Sequence, residues 1–180
     1  IQQQWKDNYR KLRVEAQQSS SGIRNMDSDQ NAADLTSSQQ QKELERRWKY
    51  GGLIMWNAFA DTMKNRDSND VVSAFVHKKI REVVKDPAIA DLLCPRNYPL
   101  GSKRLCVDTN YYETFNKSNV TLADIKSDPI KEITATGIET SEGFFKLDSI
   151  VLATGFDAMT GPMLNIDVRG SDGTLLTERW

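Results

Sequence analysis

Lys103 and Arg104 are adjacent, with Tyr98-Pro99-Leu100-Gly101-Ser102 before them and the apolar run Leu105-Cys106-Val107 after. Two neighbouring cations suit anionic oxygen. Arginine stays protonated at every working pH and offers several fixed donors to an oxyanion. Lysine presents a compact point charge, which suits a phosphate. If residues 105–107 form a short strand, side chains at its start point to opposite faces. One cation can then serve a nucleotide phosphate while the other faces a reacting centre. The plainer alternative is a pair of solvated surface cations. A second candidate closes the run Asp148-Ser149-Ile150-Val151-Leu152-Ala153-Thr154-Gly155-Phe156-Asp157. An apolar β-branched stretch ending on Gly155 reads as a buried parallel strand that delivers backbone to a ligand, because glycine has no side chain to block approach. Thr154 adds a hydroxyl there. The same pattern fits equally well a strand end packed against a neighbouring domain. Asp157 reads as the cap of the following turn rather than as an active-site residue.

Other chemistry finds little footing. His77 is the only histidine and stands beside Lys78 and Lys79, which reads as a surface position. No second His or Cys lies at metal-ligand spacing, so no metal is expected. No serine or cysteine has the context of a nucleophile with its base. Cys94 and Cys106 read as two buried, reduced thiols, which suits an intracellular, cytoplasmic protein. Asn116-Lys117-Ser118 and Asn119-Val120-Thr121 fit the glycosylation sequon, a short pattern better read as turn chemistry.

The elements that must position these residues fall into two styles. Trp5, Tyr9, Leu12 and Ala16 form one helical stripe. Residues 19–38, rich in Ser, Asn, Asp and Gln, read as a long irregular connection. Thr36-Ser37-Ser38 can cap a helix over residues 39–48, which Gly51-Gly52 should end. The apolar stretch 53–63 puts Trp56 and Phe59, with Trp48, in a helical core. After a turn, Asp67 or Ser68 should cap a helix carrying Val72, Phe75, Val76, Ile80 and Val83. Asp86-Pro87 breaks it and a short helical turn follows. Beyond Pro95, residues 105–107 and 120–123 read as strands about a short helix at 110–116, an arrangement that implies parallel pairing. Residues 133–147 read as an antiparallel meander leading into a strand at 150–153, and residues 166–176 as a hairpin.

Twenty-four Lys and Arg against 25 Asp and Glu leave a net charge of −1, which gives no electrostatic case for nucleic acid or an anionic membrane. No apolar stretch approaches the ~20 residues that span a bilayer.

The segment 148–157 resembles the late ATG-F/Y-D segment of flavin-dependent monooxygenases. Tyr98 to Arg104, then Asp108-Thr109-Asn110-Tyr111-Tyr112-Glu113-Thr114-Phe115-Asn116, stand before it in an order and spacing that resemble Baeyer–Villiger monooxygenases of the cycloalkanone and phenylacetone type. Residues 166–170 and Trp180 are similar to the same family. Flavin monooxygenases that oxidise nitrogen or sulfur also carry ATG-type segments and remain the alternative. The Lys103-Arg104 pair followed by Tyr111-Tyr112 argues against them. A non-catalytic helical interaction module is a further alternative, one that leaves both motifs unexplained.

The resemblance implies an α/β fold: a fragment of a flavoprotein with two dinucleotide-binding domains. Its helical insertion is followed by Rossmann-type strands and an antiparallel β meander. Residues 1–98 would be the helical insertion of the NADP domain, 99–124 the returning part of that domain, and 125–180 the returning part of the FAD domain. The glycine-rich dinucleotide fingerprints do not occur in the sequence, so the chain reads as a middle-to-late piece of a longer enzyme. The implied cofactors are FAD and NADPH, and the substrates a small ketone and O2. One oxygen atom is inserted, through a C4a-peroxyflavin, to give an ester or lactone. The resemblance places Lys103 at the 2′-phosphate of NADP, Arg104 beside the flavin as the catalytic cation, and Thr154 and Gly155 against cofactor. With these flanks, Lys103-Arg104 is read as a site and not as surface charge.

Overall fold

Thr36 opens the first long helix through a reciprocal cap. Its Oγ1 accepts from the Gln39 amide at 3.4 Å, and Gln39 Oε1 accepts from the Thr36 amide at 2.9 Å. The computed structural model describes residues 2–19, 27–155 and 160–179, and divides into two compact units, Ile1–Asp124 and Ile125–Trp180.

The first unit is helical. Two exposed helices, α1 (Gln2–Asp7) and α2 (Tyr9–Gln18), precede the capped α3 (Ser37–Tyr50), which ends at Gly51. Asn65, and not Asp67 or Ser68, caps α4 (Arg66–Val83): its Oδ1 accepts from the amides of both those residues. The short Asn side chain reaches the free amides from a residue still in extended conformation, whereas Asp67 and Ser68 are already helical. Pro87 starts α5 (Pro87–Leu92) and Asp86 caps it. A short α6 (Tyr111–Thr114) completes the unit.

One face of α3 and α4 makes the core. Leu44, Met55, Ala58, Phe59, Val72 and Phe75 form one buried cluster, with Leu100 and Leu105 packed against it. Ile80, Val84, Ala90 and Cys94 form a second, against which Tyr112 and Phe115 pack. Trp48 meets Phe75 edge-on at 6.0 Å but stays 40 % exposed, so it borders the core rather than filling it. The connection ahead of α3 is better tied down than its composition suggests. Residues 20–26 lie outside the described residues, but Ala32 is buried, its amide donates to Asp61 Oδ1 at 3.1 Å, and its carbonyl accepts from Gln40 Nε2 at 2.8 Å.

The second unit holds the only sheet among the described residues. Strands β1 (Ile130–Thr134), β2 (Gly137–Thr140) and β3 (Phe144–Lys146) pair antiparallel in the order β1-β2-β3. Ile133 sits opposite Ile138, and Ile138 opposite Phe145. This is the expected meander. A short α7 (Gly161–Leu164) follows. The expected hairpin at 166–176 reduces to a single bridge between Arg169 and Leu175.

The strands read at 105–107, 120–123 and 150–153 do not form, and no parallel pair occurs among the described residues. A strand is a property of a pair, since each edge must find a ladder partner. These segments have none here, and Val107, Val151 and Leu152 stand 68 %, 88 % and 74 % exposed. Two further expectations are corrected. Cys94 is buried but Cys106 is exposed, and both are free. His77 is half-buried on α4, and burial lowers its basicity, with the Pro95 backbone pulling the other way.

Candidate functional site

Tyr98 to Arg104 leaves the helical unit as a tight turn held at several points. The Pro99 carbonyl accepts from the Ser102 amide at 3.2 Å and from Ser102 Oγ at 2.5 Å. Gly101 sits at φ +90° with Met63 and Trp56 against it. A Cβ there would lie 2.7 Å from the Met63 sulfur and 3.0 Å from Trp56 Nε1. Only glycine combines that backbone conformation with that crowding. Leu100 and Leu105 both pack on the first core cluster, so residues 101–104 are the part that projects.

Lys103 and Arg104 are both exposed, and neither has a carboxylate partner among the described residues. The Lys103 ammonium instead lies 5.0 Å from the centroid of the Tyr98 ring, a cation–π contact that leaves its positive charge available. Opposite-facing side chains were expected from a strand at this point. No strand forms there, and Lys103 folds back on Tyr98 instead.

The Tyr111-Tyr112 helix is anchored from both ends. Asp108 Oδ1 accepts from the Tyr111 amide at 2.6 Å, and Asn110 takes the left-handed conformation at φ 60°. At the other end Asn116 reaches across to the end of α4: Oδ1 accepts from the Lys85 amide and Nδ2 donates to the Val83 carbonyl, each at 2.8 Å. Tyr111 stacks edge-on against Tyr112 and Phe115 at 5.3 and 5.2 Å. Burial raises the Tyr112 phenol, helped by Asp108, so it is a neutral hydroxyl at working pH.

Thr154 and Gly155 belong to the second unit. Both are exposed; Gly155 has φ +87° and open space where a Cβ would stand. That is compatible with close approach by a ligand and commits to none. Phe156, Asp157 and the turn that Asp157 would cap lie, up to residue 159, outside the described residues, as does Trp180. The described residues contain no group of three His, Cys, Asp or Glu that could hold a metal. None of their helices is long and apolar enough to cross a membrane.

Two buried polar residues escaped the sequence reading. Arg47 is 1 % exposed; its Nε donates to Glu43 at 2.6 Å and its Nη1 to the Ile54 carbonyl at 2.8 Å. Asn69, 4 % exposed, bonds the backbone of Leu100 at both its amide and its carbonyl, 2.9 Å each. The available signal was position. Asn69 stands one turn before Val72 on the apolar stripe of α4, and Arg47 one turn after Leu44 on that of α3.

No protein-family model matches the chain. Over 148 residues, 82 % of the chain, it is 43 % identical to 2-oxo-Δ3-4,5,5-trimethylcyclopentenylacetyl-CoA monooxygenase of Pseudomonas putida, of which it covers 27 %. It is 39 % identical over 150 residues to a Baeyer–Villiger monooxygenase of Pseudooceanicola batsensis, covering 81 % of the chain and 27 % of that protein. The crystal structure of OTEMO in complex with FAD and NADP superposes on 99 % of the chain with a TM-score of 0.91 at 36 % identity, and the chain covers 33 % of it. The chain thus spans about a quarter to a third of the length of the proteins it matches.

Proposed function

We propose that this chain, homologous in sequence and fold to a stretch of the Baeyer–Villiger monooxygenases, works within an FAD- and NADPH-dependent enzyme that converts a ketone and O2 to an ester or lactone. The observation that carries the site is the pair of exposed cations, without carboxylate partners among the described residues, on a turn whose flanking Leu100 and Leu105 pack on the core. Such cations fit anionic cofactor groups, because no internal ion pair has to be broken to bind them.

The bound flavin, reduced by NADPH, would supply the activated oxygen; this chain's residues would position and stabilise. Lys103 receives the 2′-phosphate of NADPH as a point charge. Arg104 would lie beside the bound cofactor, where the barrier to reaction depends on stabilising negative charge on oxygen. Its fixed positive charge lowers that barrier and needs no proton transfer. The Tyr111-Tyr112 helix, held by Asp108 and Asn116, packs Tyr112 on the second core cluster. Thr154 and Gly155 offer backbone and a hydroxyl to cofactor. In this reading residues 1–98 are the helical insertion of the NADP domain, 99–124 return to that domain, and 125–180 return to the FAD domain. Two unpaired cysteines, one of them exposed, suit a reducing cytoplasm.

Arg104→Ala in the full-length enzyme tests the assignment. Ester formation should fall on the order of 100-fold or more, as when an oxyanion donor is removed, with flavin content intact. Ketone turnover at the normal rate would overturn it.

A further inference from the structure

We propose that Asn69 is the positioning residue for the Lys103-Arg104 pair, an inference that rests on the reading of those cations given above. Asn69 lies on the core-facing stripe of α4 and is 4 % exposed. Nδ2 donates to the Leu100 carbonyl at 2.9 Å and to the Thr62 carbonyl at 3.1 Å. Oδ1 accepts from the Leu100 amide at 2.9 Å and from Ser73 Oγ at 3.3 Å. An asparagine side chain has two N–H donors and two acceptor sites on oxygen, and all of them are used.

Donating to and accepting from the same residue is what a paired strand would do for Leu100. It fixes where that residue lies and how its peptide planes are turned. The next residue, Gly101, takes the left-handed backbone conformation at φ +90°, with Met63 and Trp56 close by. Leu105 returns the chain to the same core. The four residues between Leu100 and Leu105 therefore leave and re-enter at fixed points, and the direction of departure is set by one buried amide. Three of the bonds of Asn69 go to Thr62 and Leu100, outside its own helix, so its placement serves the turn more than α4. The side chain touches no reacting group; it acts through Lys103 and Arg104.

The full-length, FAD-loaded enzyme tests this with Asn69→Ala and Asn69→Asp. Aspartate keeps an acceptor for the Leu100 amide but cannot donate to the Leu100 and Thr62 carbonyls. Ile80→Ala, in the second core cluster, serves as a destabilised control. In both Asn69 variants, hydrogen exchange over residues 98–105 should speed up. Affinity for NADP+ should fall by about tenfold while that for NAD+ changes by less than about twofold, because only the former needs Lys103 in place. Ester formation should slow by on the order of tenfold to 100-fold, and Asn69→Ala should add nothing further in an Arg104→Ala background. Ile80→Ala should lower the melting temperature without moving the NADP+ to NAD+ ratio. Asn69 variants that lose only thermal stability, with that ratio and the exchange of 98–105 unchanged, overturn the proposal. Normal ketone turnover by Arg104→Ala alone would instead remove the reading of the cation pair, and the positioning role with it.

Discussion

Arg47 puts a full charge inside the helical core, where an unpaired ion is costly, and Glu43 is what makes it tolerable. Arg46, then Arg47, hold the Glu43 carboxyl below its ordinary value, against the opposing effect of burial. The folded state thus binds fewer protons than the unfolded one. This stabilisation is full above the ordinary value near 4.5 and drains away as pH falls through the lowered one. Glu43→Gln should flatten the acid limb of melting temperature against pH, and should cost about 3 kcal/mol at neutral pH because Arg47 loses its counter-charge. A full-strength acid limb in the variant would assign that limb to other carboxylates. Lys103→Ala belongs at the same scale. It should raise KM for NADPH and leave NADH nearly unchanged, since only NADPH carries the extra phosphate; equal losses with both would point to a folding role. Lys103 and Arg104 stand out as candidates in the sequence because their neighbours carry the motif. Asn69 and Arg47 do not, because a polar residue in a helical segment reads by default as solvated.

Helices α3, α4 and α5 were legible because breakers and apolar spacing are local, although the cap of α4 falls on Asn65 rather than on Asp67 or Ser68. So was the β1-β2-β3 meander, whose partners are consecutive in sequence and joined by short turns. The segments 105–107, 120–123 and 150–153 have the composition of strands but lack a partner among the described residues, and no local signal supplies one. The same local logic shows what Asn116 does. It ties the chain after α6 to the last carbonyl of α4 and to the Lys85 amide. Asn116→Ala should therefore lower stability by about 1–2 kcal/mol by leaving those groups unpaired, and should speed hydrogen exchange at the end of α4 first. Uniform exchange along α4 would show that the bonds are incidental.

Across the whole chain, stability is lopsided. Every buried apolar residue described lies between Ala32 and Cys94, in the first unit. The second unit has a sheet but no buried apolar side chain among its described residues: Ile133, Phe144 and Ile166 are 55 %, 51 % and 61 % exposed. A three-stranded meander with both faces wet is marginal in water. The 180-residue chain should consequently bind a hydrophobic dye under native conditions and bind FAD poorly. Its helical signal should melt in one step that residues 1–124 alone reproduce, with dye binding reduced. A single sharp transition that takes the β signal with it, together with micromolar FAD binding, would show that the second unit stands without further cover.

The bonds made by Asn116 also bear on how the protein should be produced. Asn116-Lys117-Ser118 has the pattern that oligosaccharyl transfer requires in a eukaryotic secretory route, although in the folded chain it serves as a turn. The nitrogen that would receive the sugar is the one that holds the Val83 carbonyl at 2.8 Å. A glycan attached before folding would occupy the seat of α4 and leave a mixture of occupied, misfolded chains and vacant, folded ones. Expression in a bacterial cytosol avoids that contest. If a secretory host must be used, Ser118→Ala removes the sequon at Asn116, leaving the one at Asn119-Val120-Thr121, and keeps the Asn116 amide where α4 needs it.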